Sequence, residues 1–177
     1  GTVDEESGGW AGMAHLAKKG RLAKGRTDAV IIPEPLNVDR ICIGHRGVYW
    51  FEIEAMGHIG HGSMPFLGTS AIEHMGAVID TMRRELLPTF AQRTTAAPVV
   101  PPGARQATLN INALHGGQPL GDIQSPCVAD RCTAVFDRRF LIEEGFEDVR
   151  GEIVSLLDGI KDEIPEFKWN LKDLMVV

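Results

Sequence analysis

The chain has 177 residues, 44% hydrophobic and 24% charged, the balance of a globular protein with room for one ordinary domain or a domain and part of another. Its net charge of -6 leaves no basic footprint for nucleic acid, and no apolar run reaches the length needed to span a bilayer. The three cysteines, Cys42, Cys127 and Cys132, cannot all pair and lack zinc-ribbon spacing, so a reducing, cytoplasmic setting is expected.

The chain opens at Gly1 without an initiator Met and ends on an apolar run, Leu174 to Val177, so it reads as an internal piece of a longer protein. After the acidic cluster Asp4-Glu5-Glu6, Gly8-Gly9 breaks the chain. Trp10, Met13, Leu16 and Ala17 then recur at helical spacing up to Gly20. Ala29-Val30-Ile31-Ile32, closed by Pro33, has the pattern of a strand buried on both faces. Strand, helix and strand within this length predict a parallel, right-handed βαβ unit.

The pattern changes near Gly44. From 47 to 57, Tyr49, Phe51, Ile53 and Ala55 alternate with Val48, Trp50, Glu52 and Glu54, as in a half-buried strand. Residues 70–87 predict a helix with an apolar stripe of Ile72, Met75, Ile79, Met82 and Leu86. Ser70 and Glu73 have capping-box spacing at its start, and Pro88 is expected to stop it. A Pro- and Thr-rich loop follows over 91–105. Strands are expected at 107–114 and 131–140, then a helix carrying Phe146, Val149, Ile153, Leu157 and Ile160, then a strand with Phe167, Trp169 and Leu171. The order from 47 to 172 is βαββαβ, the ferredoxin-like arrangement of one antiparallel sheet with two helices on one face. The fold class is therefore α+β, preceded by a βαβ remnant of an α/β domain.

Parallel strands would bring Glu6 and Glu34, at two strand ends, to the one sheet edge where open α/β sheets bind ligands. Two such carboxylates could share a divalent cation, with Glu5 beside them to deprotonate a metal-bound water. On spacing alone the favoured reading is that they are solvated acids capping loops, because two or three carboxylates are a weak signal.

Further motifs bear on that choice. Asp4-Glu5-Glu6-Ser7-Gly8-Gly9, with Glu34-Pro35 some thirty residues later, resembles the catalytic stretch of the two-zinc amide hydrolases that include acetylornithine deacetylase, succinyl-diaminopimelate desuccinylase, aminoacylase and carboxypeptidase G. His45-Arg46-Gly47, Gly57-His58-Ile59-Gly60-His61-Gly62-Ser63-Met64-Pro65, Asn110-Ile111-Asn112, Gly116-Gly117 and Asp137-Arg138-Arg139-Phe140 resemble that family in the same order. The resemblance implies Glu5 as general base and Glu6 and Glu34 as metal ligands. It also implies that His61 reaches the partner subunit's site to polarise the scissile carbonyl, that Arg139 meets the substrate carboxylate, and that Arg46 lies at the site's edge or a subunit contact. Two zinc ions per site, with cobalt as a possible substitute, are implied for the full-length enzyme. The family's His-x-Asp motif and its late His do not occur in the chain, nor does its Asn, where Gly121-Asp122-Ile123-Gln124-Ser125-Pro126 stands.

The expected organisation is a partial zinc-binding catalytic domain over 1–43, a dimerisation domain over 44–172 that pairs into a homodimer, and a return towards the catalytic domain over 173–177. The full-length parent would hydrolyse the amide of a small N-acyl amino acid, with the fragment mainly dimerising, inactive alone and not retaining zinc. A stand-alone α+β oligomerisation or ligand-binding module, and a di- or tripeptidase of the same family, are the alternatives.

Overall fold

A computed structural model describes residues 5, 9–32, 34, 37–119, 121 and 125–177. The chain divides into two compact units, Gly1–Gly44 and His45–Val177.

Among the described residues of the first unit, helix α1 (Met13–Lys18) is the only regular element. The expected strand over 29–32 is not formed: Val30, Ile31 and Ile32 are exposed. An apolar strand is stable only with neighbours that take its N–H and C=O groups and cover its faces. The described residues of this unit supply no such neighbour, so the second strand of the βαβ reading is not formed; its first strand falls on residues outside the described ones.

The second unit holds strand β1 (Gly47–Met56), helices α2 (Ala71–Thr81) and α3 (Leu87–Phe90), strands β2 (Thr108–Gly116) and β3 (Arg131–Phe140), helix α4 (Phe146–Glu163) and strand β4 (Lys168–Val176). The strands form one antiparallel sheet in the order β2-β3-β1-β4. The alternation read in β1 sends Tyr49, Phe51, Ile53 and Ala55 to one face, where all are fully buried. Cys132, Ala134 and Phe136 of β3 join them, and Met75 and Val78 of α2 with Val149, Ile153 and Leu157 of α4 cover that face. Phe51 and Phe136 stack across the two strands with ring centroids 5.0 Å apart. Each fully buried Val, Leu, Ile, Phe or Met among them contributes about 1.5–3 kcal/mol, so this face holds the domain together.

Three boundaries differ from expectation. Pro88 does not stop the helical run, because a π-helical turn (Met82–Leu86) precedes it and α3 continues to Phe90. Proline has no N–H to donate and its ring crowds the carbonyl four residues back; widening the preceding turn relieves both. The stripe of α2 also turns: Ile72 is exposed, while His74 is buried with its ring edge-on to Phe167. Last, β4 does not end at 172 but pairs Met175 with Trp50 and Val176 with Tyr49. Leu174 is an extra residue in the ladder, and this bulge lets pairing continue past Asp173. Residues 173–176 therefore belong to the sheet.

Candidate functional site

The segment joining β1 to α2 carries His61, and its shape follows from close backbone contacts. His58 exchanges backbone hydrogen bonds with Thr69, and Val128 donates its N–H to the Gly60 carbonyl at 2.8 Å. A Cβ on Gly57 would fall 2.0 Å from the Thr69 oxygen, and one on Gly60 2.8 Å from the Gly68 nitrogen. These glycines therefore admit neighbouring backbone, a different use from the tight turning that glycine usually serves. His61 itself is bridged to Cys127, and the next N–H, of Gly62, donates to the Pro126 carbonyl at 2.5 Å. The imidazole is exposed. Its Nδ1 lies 2.7 Å from Ser63 Oγ and 3.2 Å from the Ser63 backbone nitrogen.

Arg46 and Arg139 meet at the other end of the sheet. Arg139 lies on the rung between Val48 of β1 and Thr108 of β2. Its Nε and Nη2 donate to the two carboxylate oxygens of Asp137 at 2.7 and 2.8 Å. Arg46 Nη1 donates to the Gln106 carbonyl at 2.8 Å and reaches Thr108 Oγ1 at 3.4 Å. Burial lowers the pKa of Arg46, the charge of Arg139 lowers it further, and Asp137 partly offsets both. This end of the sheet therefore concentrates positive charge around one carboxylate, a setting that favours a second anion.

The two ends are far apart. From Arg131, opposite Met56, to Arg139, opposite Val48, β3 runs eight residues, about 26 Å at the usual strand rise. His61 lies beyond Met56, so His61 and Arg139 of one copy cannot touch one small substrate.

Of the acids, Glu5 and Glu34 are described and exposed, whereas Glu6 lies outside the described residues. Among the described residues no three His, Cys, Asp or Glu side chains converge as a metal site. Two exposed carboxylates leave a zinc ion largely hydrated, so the described residues do not by themselves fit a zinc centre.

Sequence reading missed two polar groupings. Arg138 shares a face with Phe136 and stays fully buried. Its Nη2 donates to Glu144 at 2.9 Å, its Nη1 to the Arg139 carbonyl at 2.6 Å, and its guanidinium lies 4.1 Å from the Phe90 ring centroid. Arg93 joins the cluster, donating to Glu144 at 3.0 Å and Glu152 at 2.5 Å. The second grouping is Tyr49, whose hydroxyl donates to Asp173, which also pairs with Arg150. Strand parity puts Arg138 on the face of Phe136, but no sequence signal names Glu144 as its partner. Ser63, two residues after His61, was visible only as part of the glycine-rich motif.

Comparison with known proteins agrees with this architecture. The pattern of the peptidase dimerisation domain matches residues 43–165. A protein of Aspergillus flavus named as a probable carboxypeptidase is 30% identical over 166 residues, covering 93% of this chain. The chain spans 37% of that relative's own length. Human carnosine dipeptidase 1 superposes with a TM-score of 0.67 at 14% identity, over 97% of this chain and 45% of that one. A Staphylococcus aureus tripeptidase superposes with a TM-score of 0.56 at 19% identity, over 97% of this chain and 40% of that one.

Proposed function

Because the chain belongs to the metallopeptidase and amidohydrolase family that carries this peptidase dimerisation domain, we propose that it is part of a hydrolase that cleaves the amide bond of N-acyl amino acids, and that residues 44–172 are the ferredoxin-like domain that pairs two copies. The observation that carries the reading is the separation of His61 from Arg139 along the sheet. A substrate that needs both groups must take them from different chains, which gives the dimer a catalytic purpose.

In this reading residues 1–43 belong to the catalytic domain. Glu5 accepts a proton from the attacking water, while Glu6 and Glu34 contribute to zinc binding together with ligands outside this chain. The charged end around Arg139 and Arg46 holds the substrate carboxylate. His61 enters the partner's site and donates a hydrogen bond to the scissile carbonyl as negative charge builds on its oxygen. The three free cysteines fit a reducing, cytoplasmic setting. A second reading, a di- or tripeptidase, is favoured by the names of the relatives, among them a carboxypeptidase and a tripeptidase.

The test uses the full-length protein with N-acetyl and N-succinyl amino acids beside di- and tripeptides. Hydrolysis of the acyl amino acids is expected, with Glu5→Gln lowering turnover about 10²- to 10⁴-fold. Preferred cleavage of the peptides would move the assignment to the second reading, and undiminished turnover in Glu5→Gln would remove Glu5 from the mechanism.

A further inference from the structure

We propose that Ser63 is a positioning residue for His61, holding the imidazole as the tautomer whose single proton sits on Nε2. The inference rests on the reading of His61 as the group that meets the substrate carbonyl.

The geometry leaves one consistent arrangement of protons. The Ser63 backbone N–H points at His61 Nδ1 across 3.2 Å. A backbone N–H can only donate, so Nδ1 must present its lone pair. The neutral ring then carries its proton on Nε2. The Ser63 hydroxyl, 2.7 Å from the same nitrogen, donates to it as well. His45 shows the opposite case: its Nδ1 lies 2.7 Å from the Arg46 carbonyl oxygen, which can only accept, so there the proton sits on Nδ1.

Backbone contacts hold the rest of the residue. His61 is bridged to Cys127, and its carbonyl accepts the Met64 N–H at 2.8 Å. With Nδ1 occupied from its own turn, the ring has one nitrogen left to offer. A donor there strengthens its bond as an oxyanion forms, whereas a lone pair there would repel it. Among the described residues, the hydrogen bonds to the His61 ring both come from Ser63. Within Gly57–Pro65, a serine two residues after the histidine thus sets the protonation pattern of the group that leaves the domain surface.

The test pairs a spectroscopic readout with kinetics. Ring ¹⁵N signals of His61 are recorded on this chain at alkaline pH for wild type, Ser63→Ala and Ser63→Thr. All three keep the backbone N–H and are expected to show Nε2 protonated and Nδ1 bare, with the Nδ1 signal of Ser63→Ala displaced from that of wild type and Ser63→Thr because the hydroxyl bond is lost. In the full-length enzyme, Ser63→Ala is expected to lower kcat about fivefold with KM unchanged, the loss that follows from one hydrogen bond, and Ser63→Thr to restore it. A wild-type His61 protonated on Nδ1, or a Ser63→Ala ring spectrum equal to wild type, would overturn the inference. A changed spectrum with unchanged kcat would uphold Ser63 as the tautomer-setting residue and instead remove His61 from the chemistry, which His61→Ala checks separately.

Discussion

His61 and Arg139 stand at opposite ends of one sheet: Arg139 pairs with Val48 where β1 begins, and His61 follows Met56 where β1 ends. A site that uses both must join two chains, and mixing experiments can test whether the two groups come from different chains. In full-length protein, a His61→Ala chain and an Arg139→Ala chain are each expected to be weak alone. After subunit exchange, each hybrid holds one site with both defects and one intact site. Random pairing then returns about a quarter of wild-type activity. If both groups of a site came from one chain, every hybrid site would keep one defect, and demonstrated exchange would bring no recovery.

The parts of the fold legible in the sequence were those set by local period. Alternation from Tyr49 to Ala55 placed the core face of β1 correctly, because a sheet residue's face depends only on parity. Pro88 misled because the cost of a proline depends on the turn before it, and a π turn is not written in a hydrophobic pattern. The run Val30 to Ile32 misled for a different reason: apolarity says that a segment wants cover, not that cover is present. Arg138 and Glu144 meet through the turn from β3 into α4, a relationship that residue spacing does not reveal.

The acids near the start of the chain lead to a prediction about metal. Glu5 and Glu34 are exposed, and no set of three ligand side chains forms among the described residues. Two carboxylates without His hold zinc weakly. This chain, dialysed after zinc loading, is expected to retain well below one zinc per copy and to show no amide hydrolysis. Elemental analysis reading one or more zinc per copy would mean that the chain completes a site by itself.

Dimer formation is expected to turn on the outer edge of β2. Among the described residues that strand pairs only with β3, leaving its far side open, and Ile111 on it is 40% exposed. An open edge with apolar side chains invites another strand, and a charge placed there blocks pairing. The chain is expected to be a dimer by light scattering, and Ile111→Lys a monomer with little change in Tm, because Ile111 lies outside the buried core. A monomeric wild type would count against pairing through this domain, and a dimeric Ile111→Lys would move the contact to another surface.

Acid should act on the buried cluster around Arg138. Burial raises the pKa of Glu144, but the Leu141 N–H, Arg138 and Arg93 outweigh it and hold the carboxyl below its ordinary value. A depressed folded pKa means that the unfolded chain binds the proton more readily. The stabilisation is complete above the ordinary glutamate value of about 4.3 and is lost as pH falls through the lower folded value. Glu144→Gln removes this pH-dependent part and weakens charge-assisted bonds, costing about 1–3 kcal/mol near neutrality. Urea unfolding from pH 7 to pH 3 should show wild type losing stability more steeply than the variant below that value. Parallel curves would mean that Glu144 does not contribute to the pH dependence.

Arg139 offers the most direct check on substrate class. Two of its nitrogens are already engaged by Asp137, so the guanidinium is held in one plane with Nη1 free of that carboxylate. A lysine cannot satisfy Asp137 with a fork and also face a second carboxylate, because its charge is a single point on a flexible stem. In the full-length enzyme, Arg139→Lys should raise KM for an N-acyl amino acid by about 10- to 100-fold, the range that follows from a hydrogen bond to a charged group. The same substrate with its carboxylate amidated should bind weakly to wild type and no more weakly to the variant. That comparison separates recognition from structure: if the pair with Asp137 only braces the end of β3, the substitution will cost both substrates equally, and the assignment of Arg139 to the carboxylate would have to be withdrawn.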